Sequence, residues 1–590
     1  MYHRGQTPKP AADLLPVPSP KDILSRTTSP TPARTYHPKG RQHSRYLKFK
    51  SAMGTLLIFI AVMGLVLLLS GVETGGTGIK QQALKDACPS YGDYANRRHG
   101  PFSEGPLKLP SQRPIPACRT FVSKSVEELV ASISKKMVDK DLARLFENCF
   151  PNTLDTTIKY HNPKSNPPQS FIITGDINAE WLRDSTNQLA PYVSLLRSDR
   201  ALRTLFAGAI HTQADMIRQY SYCNAFHPPP AAGLKRTYND QHDVVHPPYD
   251  PAVVFECKWE LDSLAAFIKL SWMYYTETGD TKFMDKTWTE AVQHLFGVLN
   301  QQSEPTFDDM GRPMRNAYTF RRQTTSGTET LALSGAGHPI NGNTSLIRSA
   351  FRPSDDATIF QYFIPANAMM SVELGHLSEM LKKANHDGTT WNYLSSEAAR
   401  ISAEIRAGIY ELAVIDHKIF GSVLAYEVDG YGGALLMDDA NIPSLLSLPM
   451  LGFVDMDDPI YQNTRRMVLS STGNPYFLGR PSHTIFSGIG GPHIGTRHAW
   501  PMSVIVQILT ETNETEIVRL LEMLKKSTAG LGLMHESVNV ERLGDFTRPW
   551  FAWVNGLFGQ MVLELVEKRP HLIFGDAEAA AAREAVTVEE

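Results

Sequence analysis

"KWELDSLAAFIKLSWMYY", residues 258–275, begins polar and aromatic and runs directly into an apolar segment. Leu264, Ile268, Trp272 and Tyr275 recur at steps of four, four and three, which places them on one face of a helix. The same order, polar loop then helical apolar period, recurs at five other places. These are "EWLRDSTNQLAPYVSLL" from Glu180, "RPSDDATIFQYFIPANAMM" from Arg352, "MDDANIPSLLSLPML" from Met437, "TRHAWPMSVIVQILT" from Thr496 and "TRPWFAWVNGLFGQMVLELV" from Thr547. Stretches such as "SSEAARISAEIRAGIYELAV" and "TEIVRLLEMLKKS" lie between them and carry charge on one side, as outer helices do. Inner and outer helices alternating about six times describe an all-α (α/α)6 toroid, which gathers the polar loops around one depression. The competing description is an irregular bundle whose loops only cap helices.

This pattern fills a body expected over residues 121–572, between a stem (73–120) rich in Gly and Pro and a short tail (573–590). Ahead of the stem, residues 53–72, "MGTLLIFIAVMGLVLLLSGV", are 20 uncharged, mostly apolar residues, long enough to cross a ~30 Å hydrocarbon layer. Segment 1–50 holds ten Lys or Arg against Asp13 and Asp22 and is rich in Pro, Ser and Thr, so it reads as a disordered basic cytoplasmic tail. The expectation is a single-pass type II membrane protein held by a transmembrane signal anchor, with its body in the Golgi or another secretory compartment. The net charge of −3 for the whole chain leaves the rest acidic, which argues against a nucleic-acid partner. Cys88, Cys118, Cys149, Cys223 and Cys257 all follow the apolar run, an odd number whose pairing the sequence leaves open. The triplets starting at Asn343 and Asn513 match glycosylation sequons.

The chemistry-bearing motifs are acids set among Trp, Tyr and His. Hydrolysis of a glycosidic bond needs two carboxyl groups, one protonated for the leaving oxygen and one ionised for water or the anomeric carbon. Aromatic surroundings desolvate such an acid and stack on a sugar face. Glu536 in "LGLMHESVN", close to Trp550 and Trp553, fits this, with Asp355 and Asp356 as partners; capping of a helix by Ser354 and the two acids is the plainer alternative. "AEWLRDS" and "KWELDS" repeat Trp beside acids, with Trp181, Arg183 and Asp184 in the first and Trp259, Glu260 and Asp262 in the second. Such groups can hold sugar hydroxyls or pair internally. The long segments 224–254 and 471–497, dense in Pro, Gly, His and aromatics, could wall a pocket. Asp455 and Asp457 in "VDMDDPI" have the spacing with which glycosyltransferases hold a metal and a sugar nucleotide, but no strand-helix alternation surrounds them and a turn explains them better. There is no His-Glu-x-x-His and no Gly-x-Ser-x-Gly, and "SGIGGPHIG" lacks the Lys-Ser or Lys-Thr of a phosphate loop. No metal and no cofactor is expected.

Four stretches, "TGDINAEWLRDSTNQ" (174–188), "RPSDDA" (352–357), "GGPHIGTRHAWP" (490–501) and "GLMHESVN" (532–539) with "FTRPWFAWVN" (546–555), resemble glycoside hydrolase family 125, the exo-α-1,6-mannosidases, and in particular its fungal membrane-anchored members. The resemblance implies an (α/α)6 fold and metal-independent, inverting hydrolysis of terminal mannose from a mannose-containing glycan. It implies Glu536 as general base and one of Asp355 and Asp356 as general acid, with Asp356 preferred. It also implies a sugar subsite lined by Trp181, Arg183, Asp184, His493, His535 and Trp553. The Pro-rich segment 224–254 is longer than in the compact bacterial members and bears on the leaving-group side. Two other functions compete with the hydrolase: a metal-dependent glycosyltransferase using Asp455 and Asp457, and a silent mannoside-binding protein.

Overall fold

The computed structural model describes residues 88–384, 388–480 and 483–576. The basic tail 1–50, the apolar run 53–72, the first part of the stem and residues 577–590 of the tail lie outside the described residues.

Five of the six recurring segments become buried inner helices: Leu182–Leu189, Leu261–Thr278, Ile364–Lys383, Pro501–Leu509 and Ala552–Lys568. They pack side by side in an arc, with Pro501–Leu509 on Ala552–Lys568, then Leu182–Leu189, Leu261–Thr278 and Ile364–Lys383 in turn. The outer helices include Lys140–Cys149, Arg200–Gln219, Lys286–Gln302, Thr389–Leu412, Pro459–Val468 and Glu514–Lys526. Several start on the cap their sequence offers: Asp199 accepts from the amides of Ala201 and Leu202, and Asp285 from that of Trp288. Pro365 and Pro501 sit in the first turn of their inner helices, where a missing N–H costs nothing.

The sixth segment, 437–451, is not a helix. It is a buried run of turns containing Pro443 and Pro449, each of which removes a helical hydrogen bond and clashes with the preceding turn. Asp438 holds it instead, accepting from the amides of Leu445 (2.9 Å) and Leu446 (3.0 Å). This run lies between the ends of the arc: Val372 of the Ile364–Lys383 helix faces Gly452, and Ala440 donates to Gly490 O beside the Pro501–Leu509 helix.

The all-α description therefore fails. Short antiparallel strands form seven sheets of two or three strands among the described residues, and several stand just before the inner helices. Glu180–Trp181 pairs with Ala225–Phe226, which pairs with Val254–Glu256; Tyr362–Phe363 pairs with Glu427–Val428; His498–Ala499 pairs with Ser537–Asn539. Loops lining a cavity must satisfy their buried N–H and C=O groups, and two-residue ladders do so where helix geometry cannot. The single transmembrane helix included in the expected fold is likewise without support. Among the described residues no helix is long and apolar enough to cross a membrane, and 53–72 is outside them.

Residues 88–120, expected as stem, fold onto the body. Cys88 and Cys118 are joined by a disulfide, Tyr91 meets Trp550 edge-on at 4.7 Å, and Arg113 bridges Glu127 and Asp155. A second disulfide joins Cys223 to Cys257, and Cys149 is the free, buried thiol.

Candidate active site

The small sheets and the inner-helix starts enclose a cavity of about 250 Å³. Asp355, Asp356 and Glu536 all border it, as do Trp181, Arg183, Asp184, His493 and Trp553. His535 does not: it is buried behind Glu536, stacks on Phe546 at 3.9 Å and donates from Nδ1 to Pro549 O (3.1 Å). Burial pushes its pKa down to about 4, so it is a neutral structural ring.

Ser354 and the two aspartates do not cap a helix. The following helix starts at Ile364, and Ser354 Oγ donates 2.7 Å to Asp439 Oδ2. Asp355 has φ +66°, a left-handed conformation uncommon for a residue with a side chain and one that clusters at functional sites. The turn sends the two neighbours to different places. Asp355 keeps 37% of its side chain exposed in the cavity. Asp356 is 2% exposed and holds His493 Nδ1 at 2.9 Å. Burial alone would lower the pKa of His493, but the hydrogen bond and charge of Asp356, helped by Asp439 and Glu536, push it up to about 9. His493 is therefore held in its protonated form by Asp356.

Around Asp355, burial favours the neutral acid, yet Lys258 (Nζ to Oδ1, 3.8 Å) and Arg183 outweigh it and hold the carboxyl below the usual range. Arg183 is fixed from beneath by Glu260 (2.6 Å), Asp262 (3.2 Å) and Asp184 (3.1 Å), and its guanidinium lies 5.7 Å from the centre of the Trp553 ring. Burial drives Asp184 up to about 6 against the opposing charge of Arg183. The "KWELDS" acids thus support the site without lining it, and Trp259 is core, its Nε1 donating to Arg348 O (2.8 Å).

Glu536 leads into the Ser537–Asn539 strand and faces Arg548, Nε to Oε1 3.3 Å. Arg548 also reaches Asp176 (3.4 Å) and, like Asp355, has a left-handed backbone, φ +44°. Trp500, Phe551 and Ile177 supply apolar wall, and Lys258, Asn441 and Glu329 polar wall. The sequence reading missed Lys258 and Arg548 as site residues. The one available signal for Arg548 was a cation inside an aromatic run, "FTRPWF". Trp550, two residues on, points away and donates to Asn152 Oδ1 (2.8 Å).

Asp455 and Asp457 are exposed and outside the cavity, in the turn whose Asp458 caps the Pro459–Val468 helix. Of the two long loop segments, 471–497 reaches the cavity through His493; 224–254 reaches it only indirectly, through Asn224 behind Asp355 (3.4 Å).

Comparison with known proteins bears on this arrangement. The family described as metal-independent alpha-mannosidase (GH125) matches residues 139–563. The Meiotically up-regulated gene 157 protein of Schizosaccharomyces pombe is 57% identical over 488 residues, which cover 82% of this chain and 94% of that protein. A solved structure from Streptococcus pneumoniae, described among metal-independent alpha mannosidases and in a non-productive complex with alpha-1,6-mannobiose, is 33% identical with a TM-score of 0.68. The alignment covers 76% of this chain and 100% of that one.

Proposed function

We propose that this chain, which belongs to the metal-independent α-mannosidases of glycoside hydrolase family 125, works by inversion with Asp355 as proton donor and Glu536 as base. Family membership makes it a glycoside hydrolase, an exo-acting α-mannosidase that needs no metal. The residue roles, the linkage and the compartment are our reading.

The observation that carries the roles is the junction of Asp355 and Glu536 at one cavity walled by Trp181, Trp500 and Trp553. Its volume of about 250 Å³ lies below the range usual for drug-sized ligands and suits a terminal sugar rather than a long chain. In an inverting reaction one carboxylate takes a proton from water while that water attacks the anomeric carbon. A carboxylic acid on the other side protonates the departing glycosidic oxygen. Access selects Asp355 over Asp356 as that acid, because Asp356 is 2% exposed and committed to cationic His493. A sugar covering the cavity removes remaining water from Asp355, the direction that favours its protonated form. Arg548 beside Glu536 and Arg183 beside Trp553 are placed to orient carboxylate and sugar.

An α-1,6 linkage is supported by the mannobiose held in the pneumococcal relative. Proton NMR of the protein acting on α-1,6-, α-1,2- and α-1,3-mannobiose tests both points. The expected result is release from the α-1,6 disaccharide with β-mannose appearing first. Initial α-mannose would refute inversion, and preference for another disaccharide would refute the linkage. The two disulfides and the exposed sequon residues Asn343 and Asn513 support an oxidising secretory compartment for the catalytic body.

A further inference from the structure

Asn224 and Lys258 directly follow the two half-cystines Cys223 and Cys257, and both touch Asp355. The strand pairing Ala225↔Glu256 sets the two segments side by side, and Lys258 N donates to Asn224 Oδ1 (3.0 Å). Asn224 Nδ2 then reaches Asp355 Oδ1 at 3.4 Å, while Lys258 Nζ donates to Asp355 O at 2.9 Å and stands 3.8 Å from Oδ1. On its other side Lys258 faces Glu256 (3.6 Å), itself bound by Arg322 (2.6 Å). The Lys258 side chain is 4% exposed, and taking its charge out of water is costly unless fixed partners use it. Here the partners are Glu256 and the backbone and carboxylate of Asp355, a residue held at φ +66°.

We propose that Asn224 and Lys258, stapled together by the Cys223–Cys257 disulfide, form a positioning clamp that holds Asp355 in its strained turn and aims its carboxyl at the glycosidic oxygen. The idea rests on Asp355 being the proton donor. The charge of Lys258 by itself favours the ionised form of Asp355, so the clamp acts through the aim of the carboxyl, and that aim matters most to the step in which the leaving oxygen takes a proton. Its loss is therefore felt most on a substrate with a poor leaving group. Displacement of a reacting group by about 1 Å costs up to ~100-fold in rate.

The test compares α-1,6-mannobiose with 2,4-dinitrophenyl α-mannoside, whose leaving group departs without protonation. Lys258→Met keeps the shape of the stem without its charge. It is expected to lower kcat on mannobiose by roughly 10- to 100-fold, and the loss on the aryl mannoside should be at least about tenfold smaller. Asn224→Ala should show the same split in milder form, with KM for mannobiose little changed. The Cys223→Ala/Cys257→Ala double variant should resemble Asn224→Ala; if it does not fold, the two single variants still decide the matter. Equal losses on the two substrates, or a change confined to KM, would overturn the clamp. Asp355→Asn run alongside separates the two ideas. If it loses both substrates equally, the donor assignment itself is wrong; if it shows the split and Lys258→Met does not, only the clamp is wrong.

Discussion

Glu536→Gln keeps the size and most contacts of the side chain while removing the basic oxygen, so turnover should fall by at least ~100-fold while the thermal midpoint stays in place. Steady-state kinetics and a melting curve on one preparation check this; a variant that keeps turnover removes Glu536 from the chemistry. The paired aspartates should separate in a different way. Asp355→Asn should spare the dinitrophenyl substrate relative to mannobiose. Asp356→Asn should lower both alike, because it releases His493 and lets that ring leave the cavity wall. The reverse pattern would return the donor role to Asp356, which the sequence motif favoured. At this scale the acids were legible because glycoside hydrolysis demands them, and "RPSDDA" and "MHESVN" present them beside aromatics. Which aspartate keeps its carboxyl exposed in the cavity was not legible, since the left-handed φ of Asp355 separates the two and neighbouring residues give no local signal for it. His535 was misassigned because sharing a motif with Glu536 does not give it the same direction: it lies behind the wall, stacked on Phe546.

Among the elements, helical period was a sound guide for five inner segments and failed at 437–451. Leu445, Leu446, Leu448 and Leu451 are buried there, as an inner helix would bury them, but Pro443 and Pro449 deny the helix its hydrogen bonds. What replaces those bonds is the side-chain carboxyl of Asp438, which the periodicity cannot reveal. Asp438→Ala would leave two buried amides without acceptors, a loss of about 2 kcal/mol or more of stability. A urea titration followed by tryptophan fluorescence measures it. An unchanged midpoint would mean that water or backbone takes over both amides. The short strands escaped the sequence reading because two-residue ladders have no periodicity; they exist only where distant loops meet, as Glu180 meets Phe226 and His498 meets Asn539.

For the molecule as a whole, burying acids inside the body has a consequence in pH. Burial pushes Glu180 and Asp438 each up to about 8, and Asp356 with its neighbours pushes His493 up to about 9 against burial. In the unfolded chain these groups titrate at ordinary values, near 4 for the acids and 6.5 for histidine. Between pH 6.5 and 9 the folded protein thus holds protons that the unfolded chain has lost, and the linkage slope is negative. The stability these groups contribute is complete below their unfolded pKa values and disappears as pH rises through about 8 for the acids and about 9 for His493. Burial shifts other groups the opposite way, among them the lysines Lys159 and Lys269, which act at the alkaline end, and His535, whose pKa is lowered to about 4, so its contribution is present above 6.5 and is lost only as pH falls toward 4. His535 does not act in the alkaline window. Urea midpoints should accordingly decline from pH 6.5 to 9, each group adding at most about 1.4 kcal/mol per pH unit. Glu180→Gln removes a titrating acid while leaving an acceptor for the amide of Ile172 (2.9 Å). Its midpoint should fall less steeply with pH than that of the parent, whatever its stability at pH 6.5. Parallel slopes for parent and variant would mean that Glu180 is already ionised in the folded state and that its charge is met inside the body.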